Sequence, residues 1–264
     1  MQIKLTGKTA LVTGSTEGIG LGAAKQLAEC GARVIVNGRT QQKVDKAIEA
    51  VIAAVPNAEV TGVAADLSTS EGGQALFEAV PEADILVNNL GIYGALDFFE
   101  TDDETWQQYF DVNVMSAVRM SRHYAPAMVD NGWGRIVFIA SESSVNIPSE
   151  MIHYGVSKTA LLGLSRGLAK RLAGTGVTVN AVLPGPTMSE GVQNIMAESA
   201  ARNGISVEEA GVRFVQKHRP SSVIQRMATV DEVASMITYT CSELASATTG
   251  SALRVDGGVV DFVM

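Results

Sequence analysis

Residues 9–37, TALVTGSTEGIGLGAAKQLAECGARVIVN, read as strand, glycine turn, helix and second strand in succession. TALVT (9–13) and RVIVN (33–37) are apolar, β-branched runs of strand length, and GLGAAKQLAECG (20–31) between them carries apolar residues at helical spacing. The turn is TGSTEGIG (13–20), with Gly14, Gly18 and Gly20 leading into the helix. Glycines in such a turn bring the backbone close to a pyrophosphate, and the free N–H groups and dipole of the helix head favour its charge. The spacing differs from G-x-G-x-x-G, so the signal lies in the turn's position, after a strand and before a helix.

Working outward, five more strand-length runs follow: VTGVAA (60–65), DILVN (84–88), RIVFIA (135–140), VTVNAVL (177–183) and ALRV (252–255). Helical periodicity fills the intervals, as in QQKVDKAIEAVIAAV (41–55) and GGQALFEAV (72–80). That alternation predicts an α/β architecture: a doubly wound parallel sheet of about seven strands with helices on both faces, in a single domain over 1–264. Thr229 with Glu232 reads as a capping box before VASMITYTCSEL (233–244), and Ser70, Asp102 or Asp103 are candidate caps elsewhere. From Pro184 to Pro220 no strand run occurs, and so long a connection is either a substrate lid, at about 186–220, or a helical hairpin packed for stability.

Composition narrows the partners. Of 264 residues 46% are hydrophobic and 18% charged, which implies a large core, and no apolar run is long enough to span a bilayer. A net charge of -8 opposes phosphate backbones and anionic membranes, so neither nucleic acid nor a membrane is expected as partner and a small molecule is. Cys30 and Cys241 lie far apart without metal-ligand spacing, and the N-terminus shows no signal or transit composition. The expectation is a cytoplasmic protein with no metal site.

Tyr154 and Lys158 stand four apart in HYGVSKTALLGLSRGLAKRL (153–172), a helical stretch that places both on one face. A phenol ordinarily keeps its proton to pH ~10, and lowering that by ~3 units takes ~4 kcal/mol, which an adjacent ammonium in a dry cleft supplies. After the second strand the chain reads Asn37-Gly38-Arg39, with no acid for the ribose hydroxyls of NAD. Arg39 suits a 2′-phosphate instead, which favours NADP(H) over NAD(H), although the carboxylate of Glu17 lies in the neighbouring turn.

With TGSTEGIG (13–20), NNLG (88–91), Asn113, Ser141, Tyr154-x-x-x-Lys158 and PGPT (184–187) in order, the chain resembles the short-chain dehydrogenase/reductase family from end to end. The resemblance implies a Rossmann-type fold and an NAD(P)-dependent oxidoreductase interconverting a small-molecule carbonyl and a secondary alcohol. It implies that Ser141 bonds the substrate oxygen, that Tyr154 is the general acid/base, and that Lys158 grips the nicotinamide ribose and lowers the tyrosine pKa. Asn113 then holds a water between Lys158 and solvent. The cofactor contacts implied are Gly14, Ser15, Thr16, Glu17, Gly18, Ile19 and Gly20, with Arg39, Asp66, Leu67, Asn89, Gly91, Tyr154 and Lys158. Asp66 meets the adenine, Asn88 supports the site, and Pro184, Gly185 and Thr187 border the nicotinamide. Ser143 or Ser144 is an alternative to Ser141, and Leu90 departs from the family's usual alanine in NNLG. LRVDGG (253–258) resembles a segment that packs against a neighbouring subunit, so a homotetramer is implied.

The substrate stays open. VDNGWG (129–134) and AGTG (173–176) lack the cations that would dock an acidic carrier protein, which disfavours the alternative of a 3-oxoacyl thioester reductase. A non-catalytic redox sensor is the other alternative. Tyr93, Ser143, Ile147, Glu150, Met151 and Met188 are the expected pocket residues. Arg213, Lys217, His218 and Arg219 in RFVQKHR (213–219) hold a substrate anion or form a solvated helix end, and Glu142 and Glu150 bind sugar or polyol hydroxyls or face solvent.

Overall fold

Seven strands hydrogen-bond into one parallel sheet in the computed structural model, which describes residues 2–263. They are β1 (Thr9–Val12), β2 (Arg33–Gly38), β3 (Val60–Ala64), β4 (Ile85–Asn88), β5 (Gly134–Ile139), β6 (Val177–Pro184) and β7 (Ala252–Val255), in the order β3-β2-β1-β4-β5-β6-β7. Every expected run is a strand. The helices are α1 (Gly18–Glu29), α2 (Gln41–Ala54), α3 (Ser70–Ala79), α4 (Asp103–Phe110), α5 (Ser116–Asp130), α6 (Ile152–Arg171), α7 (Glu190–Asn203), α8 (Val207–His218) and α9 (Val230–Thr240).

The strands read as unbroken apolar runs because both faces are covered. Alternate side chains feed two cores. Ala10, Val12, Val34, Val36, Ile85 and Val87 pack against α1, α2 and α9, while Leu11, Ile35, Leu86, Ile136 and Phe138 pack against α3, α5 and α6. A one-residue slip of any strand would exchange the two sets, so the register Ala10 opposite Val34 and Ile85 is held by burial as well as by hydrogen bonds. Strand order reverses at β1 and β4, and the crevice beyond their carboxyl ends is where open sheets of this kind bind ligands.

Thr229 and Glu232 form the expected reciprocal cap of α9, at 3.1 and 2.8 Å. Arg226 also grips Glu232, and these bonds hold its carboxyl down to about 2. Asp102 caps α4 through Thr105 N at 2.8 Å. At α3 the cap is Thr69 rather than Ser70: Thr69 has the extended backbone of a cap and accepts from Gly72 N, while Ser70 is already the first helical residue. Residues 184–220 hold no strand of their own beyond the end of β6; α7 and α8 form a hairpin that turns at Gly204 (φ 64°). Met196, Ala200, Ala210, Val215 and Met227 give the hairpin a small core of its own. Its base is tied where Met188 N donates to Ala228 O and Ala228 N to Pro186 O, both at 2.8 Å.

Candidate active site

A cavity of about 970 Å³ opens along the carboxyl ends of the strands, with the α7–α8 hairpin as its outer wall. At its inner end is the glycine turn. Asn89 braces that turn: its side-chain amide donates to Thr13 O at 3.0 Å and Gly14 O at 2.8 Å. From the other side Asn37 Oδ1 accepts from Gly14 N at 3.1 Å, and its amide donates to Val63 O and Ala65 O. Gly14 and Gly18 take φ of 59° and 58°, where a side chain is strained. A Cβ at Gly20 would lie 2.4 Å from Asn89 Nδ2 and 2.8 Å from Gly14 O. Gly20→Ala is therefore expected to distort the turn and weaken dinucleotide binding at least tenfold. Overpacking of this kind costs about 1–3 kcal/mol, at about 2–4 °C in Tm per kcal/mol for a chain of this size. A fluorescence titration with NADPH and a melting curve check it.

The turn suits a dinucleotide by its own geometry. The head of α1 has no side-chain cap from its own N-cap residue, Glu17. Instead Gly18 N donates to the Glu190 carboxylate at 2.7 Å, so an anion from α7 already rests at this positive end. Thr16, Glu17, Gly18, Ile19, Asp66, Leu67, Gly91, Pro184, Gly185 and Thr187 all line the same cavity, as do Gly14, Gly20, Arg39 and Asn89. Ser15 is a correction to the expected set. It is fully buried beneath the turn, its hydroxyl donating to Val12 O at 2.7 Å and accepting from Asn37 N at 3.0 Å, so it joins β1 to β2 and does not reach the cavity. Asn88 likewise faces the core, donating to Ser121 Oγ. Leu90 packs against Gly14 at the cavity floor.

Arg39 is exposed in the cavity wall, directly after Gly38, which packs against Thr16 of the turn, and no ion pair among the described residues engages it. The Glu17 carboxylate beside it is met by Lys43, 3.6 Å away and also in the cavity wall. A side chain at Gly38, where an acid would face the ribose, is blocked: its Cβ would lie 2.4 Å from Thr16 Cγ2.

Ser141, Tyr154 and Lys158 line the same cavity. Ser141 follows β5 in extended conformation, its Oγ accepting from Ser143 N at 3.1 Å, and its hydroxyl is near enough to the Tyr154 phenol to favour the ionised form. Ser144 is turned inward, its hydroxyl accepting from Ser141 N, and only Ser143 of the two alternatives lines the cavity. Lys158 Nζ donates to Ile139 O at 2.7 Å and stands 5.9 Å from the centre of the Tyr154 ring. Burial lowers Lys158 to about 8. The expected lowering of the phenol does not occur in this cleft. Tyr154 is only partly covered, but its hydroxyl sits deep enough that burial pushes it up to about 12, with the nearby Ser141 hydroxyl acting the other way and the Glu142 carboxylate adding to the rise. The nearest bond of the ammonium is to a carbonyl, and desolvation outweighs its attraction.

Asn113 lies behind this group and does not line the cavity. It sits on a π-helical turn, Asp111–Met115, between α4 and α5, a distortion frequent at functional sites. Its side chain is fully engaged with Ile92 N at 2.8 Å, Ile92 O at 3.1 Å and Ser157 Oγ at 2.9 Å, so it positions the segment after β4 against α6. Buried His153 also holds this region: it packs edge-on to Tyr109 at 4.3 Å, beside the loop whose Tyr93 ring is 6.5 Å from Tyr154.

Of the expected pocket residues, Tyr93, Ser143 and Met151 line the cavity; Ile147 packs on Gly155, Met188 on Gly211, and Glu150 stays outside. The basic cluster divides. Arg213 makes an exposed pair with Glu209, whereas Arg219 turns inward to a buried pair with Glu142 at 2.7 Å. The sequence reading missed Lys43, Glu190, His153 and the joining of Arg219 to Glu142. Lys43 was legible as a second cation one helical turn after Arg39; the others depend on contacts distant in sequence.

Among the described residues no cluster of metal-ligating side chains is present, and no helix is long and apolar enough to cross a membrane. A family model described as enoyl-(acyl carrier protein) reductase matches residues 14–260. Two oxidoreductases of Bacillus subtilis without assigned function, YvrD and YvaG, are 48% and 46% identical, each alignment covering 98% of this chain and at least 98% of the relative. The crystal structure of L-sorbose reductase from Gluconobacter frateurii with NADPH and L-sorbose superposes with a TM-score of 0.93 at 33% identity over the whole of both chains. The chain belongs to the short-chain dehydrogenase/reductase family of NAD(P)-dependent oxidoreductases.

Proposed function

We propose that this oxidoreductase is an NADPH-dependent reductase of small-molecule ketones, reversible as an alcohol dehydrogenase. One observation carries the reading: Ser141, Tyr154 and Lys158, with the ammonium 5.9 Å from the centre of the tyrosine ring, line the same cavity as the glycine turn. When bound, the nicotinamide supplies the hydride. Ser141 and Tyr154 hold the substrate oxygen, and Tyr154 donates its proton to that oxygen as charge develops there. Lys158, cationic below about pH 8, stabilises the phenolate left behind and is placed to bond the ribose. Asn113 acts through Ile92 and Ser157 as a positioning residue.

Arg39 and Lys43 support NADP(H) over NAD(H), since both border the place of a 2′-phosphate and Lys43 offsets Glu17. NADPH bound to the sorbose reductase at this similarity supports the same preference. The hairpin at 186–220 serves as a lid: it contributes Val192, Ile195 and Phe214 to the wall above Tyr154 and touches the glycine turn through Glu190. Exposed apolar side chains at Val223 and Ile224, which pack beside Gly257 and Gly258, and at Phe262 and Val263 support a homotetramer, and the free thiols Cys30 and Cys241 suit the cytoplasm.

Initial rates with NADPH and NADH on a panel of ketones test this reading, and a greater rate with NADH would overturn the cofactor preference. The pH dependence has a definite sign. Reduction needs both Tyr154 and Lys158 protonated, so kcat/KM for reduction is expected to be flat below about pH 8 and to fall above it as Lys158 loses its proton. Oxidation needs the phenolate beside a cationic Lys158, so its rate rises with pH up to about 8 and levels off above it, where further ionisation of Tyr154 is matched by loss of the ammonium. Profiles of the same shape in both directions would contradict the assigned proton transfer.

A further inference from the structure

Glu142 is the one buried acid in the wall beside the reacting groups. It follows Ser141 directly and is 3% exposed. Its Oε1 accepts from Arg219 Nε at 2.7 Å, and its Oε2 is buried with no hydrogen-bond partner. Arg219 arrives from the end of the α8 segment, 77 residues along the chain. Its Nη1 donates to His218 O and lies 3.8 Å from Glu150, and Nη2 makes no bond to the protein among the described residues. Both residues line the cavity that holds Ser141 and Tyr154.

A buried carboxylate oxygen without a donor is costly, and native structures retain such a group where something else completes it. The pair leaves one acceptor, Oε2, and one donor, Nη2, without protein partners, on residues that line the same cavity as Ser141 and Tyr154. A hydroxyl satisfies both at once, its O–H donating to the carboxylate and its lone pair accepting from the guanidinium. An aliphatic chain would leave both unmade. An anionic substrate meets the Glu142 carboxylate, with Asp256 close enough to raise its pKa further, against a single guanidinium. Burial is the main cause of that rise, as befits a carboxylate short of partners. Met151, Ile195 and Phe214 supply apolar surface for the C–H side of a small molecule.

We propose that the substrate is an uncharged polyhydroxylated ketone, with its polyol as the reduced form, and that Glu142 and Arg219 read hydroxyls on carbons adjoining the carbonyl. This rests on the reductase reading of the same site, and the experiment separates the two. With NADPH, steady-state kcat/KM is measured for neutral ketohexoses (D-fructose and L-sorbose), for 5-keto-D-gluconate, and for 2-hexanone. A ketohexose is expected to exceed both the keto acid and the unhydroxylated ketone by at least tenfold. In Glu142→Gln the ketohexose advantage over 2-hexanone should shrink at least tenfold, mainly through KM, and Arg219→Lys should shrink it less. Preference for 2-hexanone or the keto acid in the wild type would overturn the proposal whatever the variants do, as would an equal loss on every ketone in Glu142→Gln. Absence of turnover with every carbonyl would instead overturn the reductase reading, and the proposal with it.

Discussion

Tyr154→Phe is expected to lower kcat for ketone reduction by about 10²–10⁴-fold, the usual contribution of a positioned general acid, while the Kd for NADPH changes by less than about threefold. The substitution removes one oxygen and leaves the ring. The ring keeps its edge contact with Tyr93 and its place 5.9 Å from Lys158 Nζ, so the walls of the cavity are preserved. Ser141 still accepts from Ser143 N at 3.1 Å and remains oriented. What is lost is the phenol proton that the reading delivers to the substrate oxygen. Single-turnover rates with saturating NADPH isolate this step from cofactor binding. An unchanged rate would remove Tyr154 from the proton transfer and leave water or Ser143 to supply it.

The tyrosine also marks where sequence reasoning stopped. Its partnership with Lys158 was legible, because four residues on a helix bring two side chains together whatever lies elsewhere. The direction of its pKa shift was not, because it depends on burial by segments from β5, the loop after β4 and the hairpin. The strands were legible for a related reason: a sheet covered on both faces demands long apolar runs, and the two interleaved cores leave no polar position in β1 after Thr9 or in β4 before Asn88. The glycine turn was legible as a turn, but Ser15 within it was assigned to the cofactor by pattern when its hydroxyl is consumed in joining β1 to β2. Contacts between distant segments left no trace in the string. Glu190 lies 172 residues from Gly18 and Arg219 lies 77 from Glu142, and nothing local to either residue indicates its partner.

Replacing Arg39 and Lys43 together by alanine is expected to raise KM for NADPH by about 10²-fold or more, with KM for NADH altered less than about threefold. Hydrogen bonds to a charged group contribute about 1.5–3 kcal/mol each, and 1.4 kcal/mol is about tenfold in affinity. Either single variant should therefore show about a tenfold to hundredfold rise, with Arg39→Ala the larger because a guanidinium fork engages two phosphate oxygens. Both side chains are exposed, so their removal leaves the core and the melting temperature nearly unchanged. Lys43→Ala has a second effect. It leaves the Glu17 carboxylate uncompensated beside the phosphate, so part of its penalty should vanish in a Glu17→Gln background and diminish at high salt. The variants should not gain efficiency with NADH, because the strand end has no acid to hold the ribose hydroxyls and Thr16 closes the space at Gly38 where one would stand. Equal losses with NADPH and NADH would mean that the two cations support the adenosine pocket generally, and would leave the cofactor preference to another part of the site.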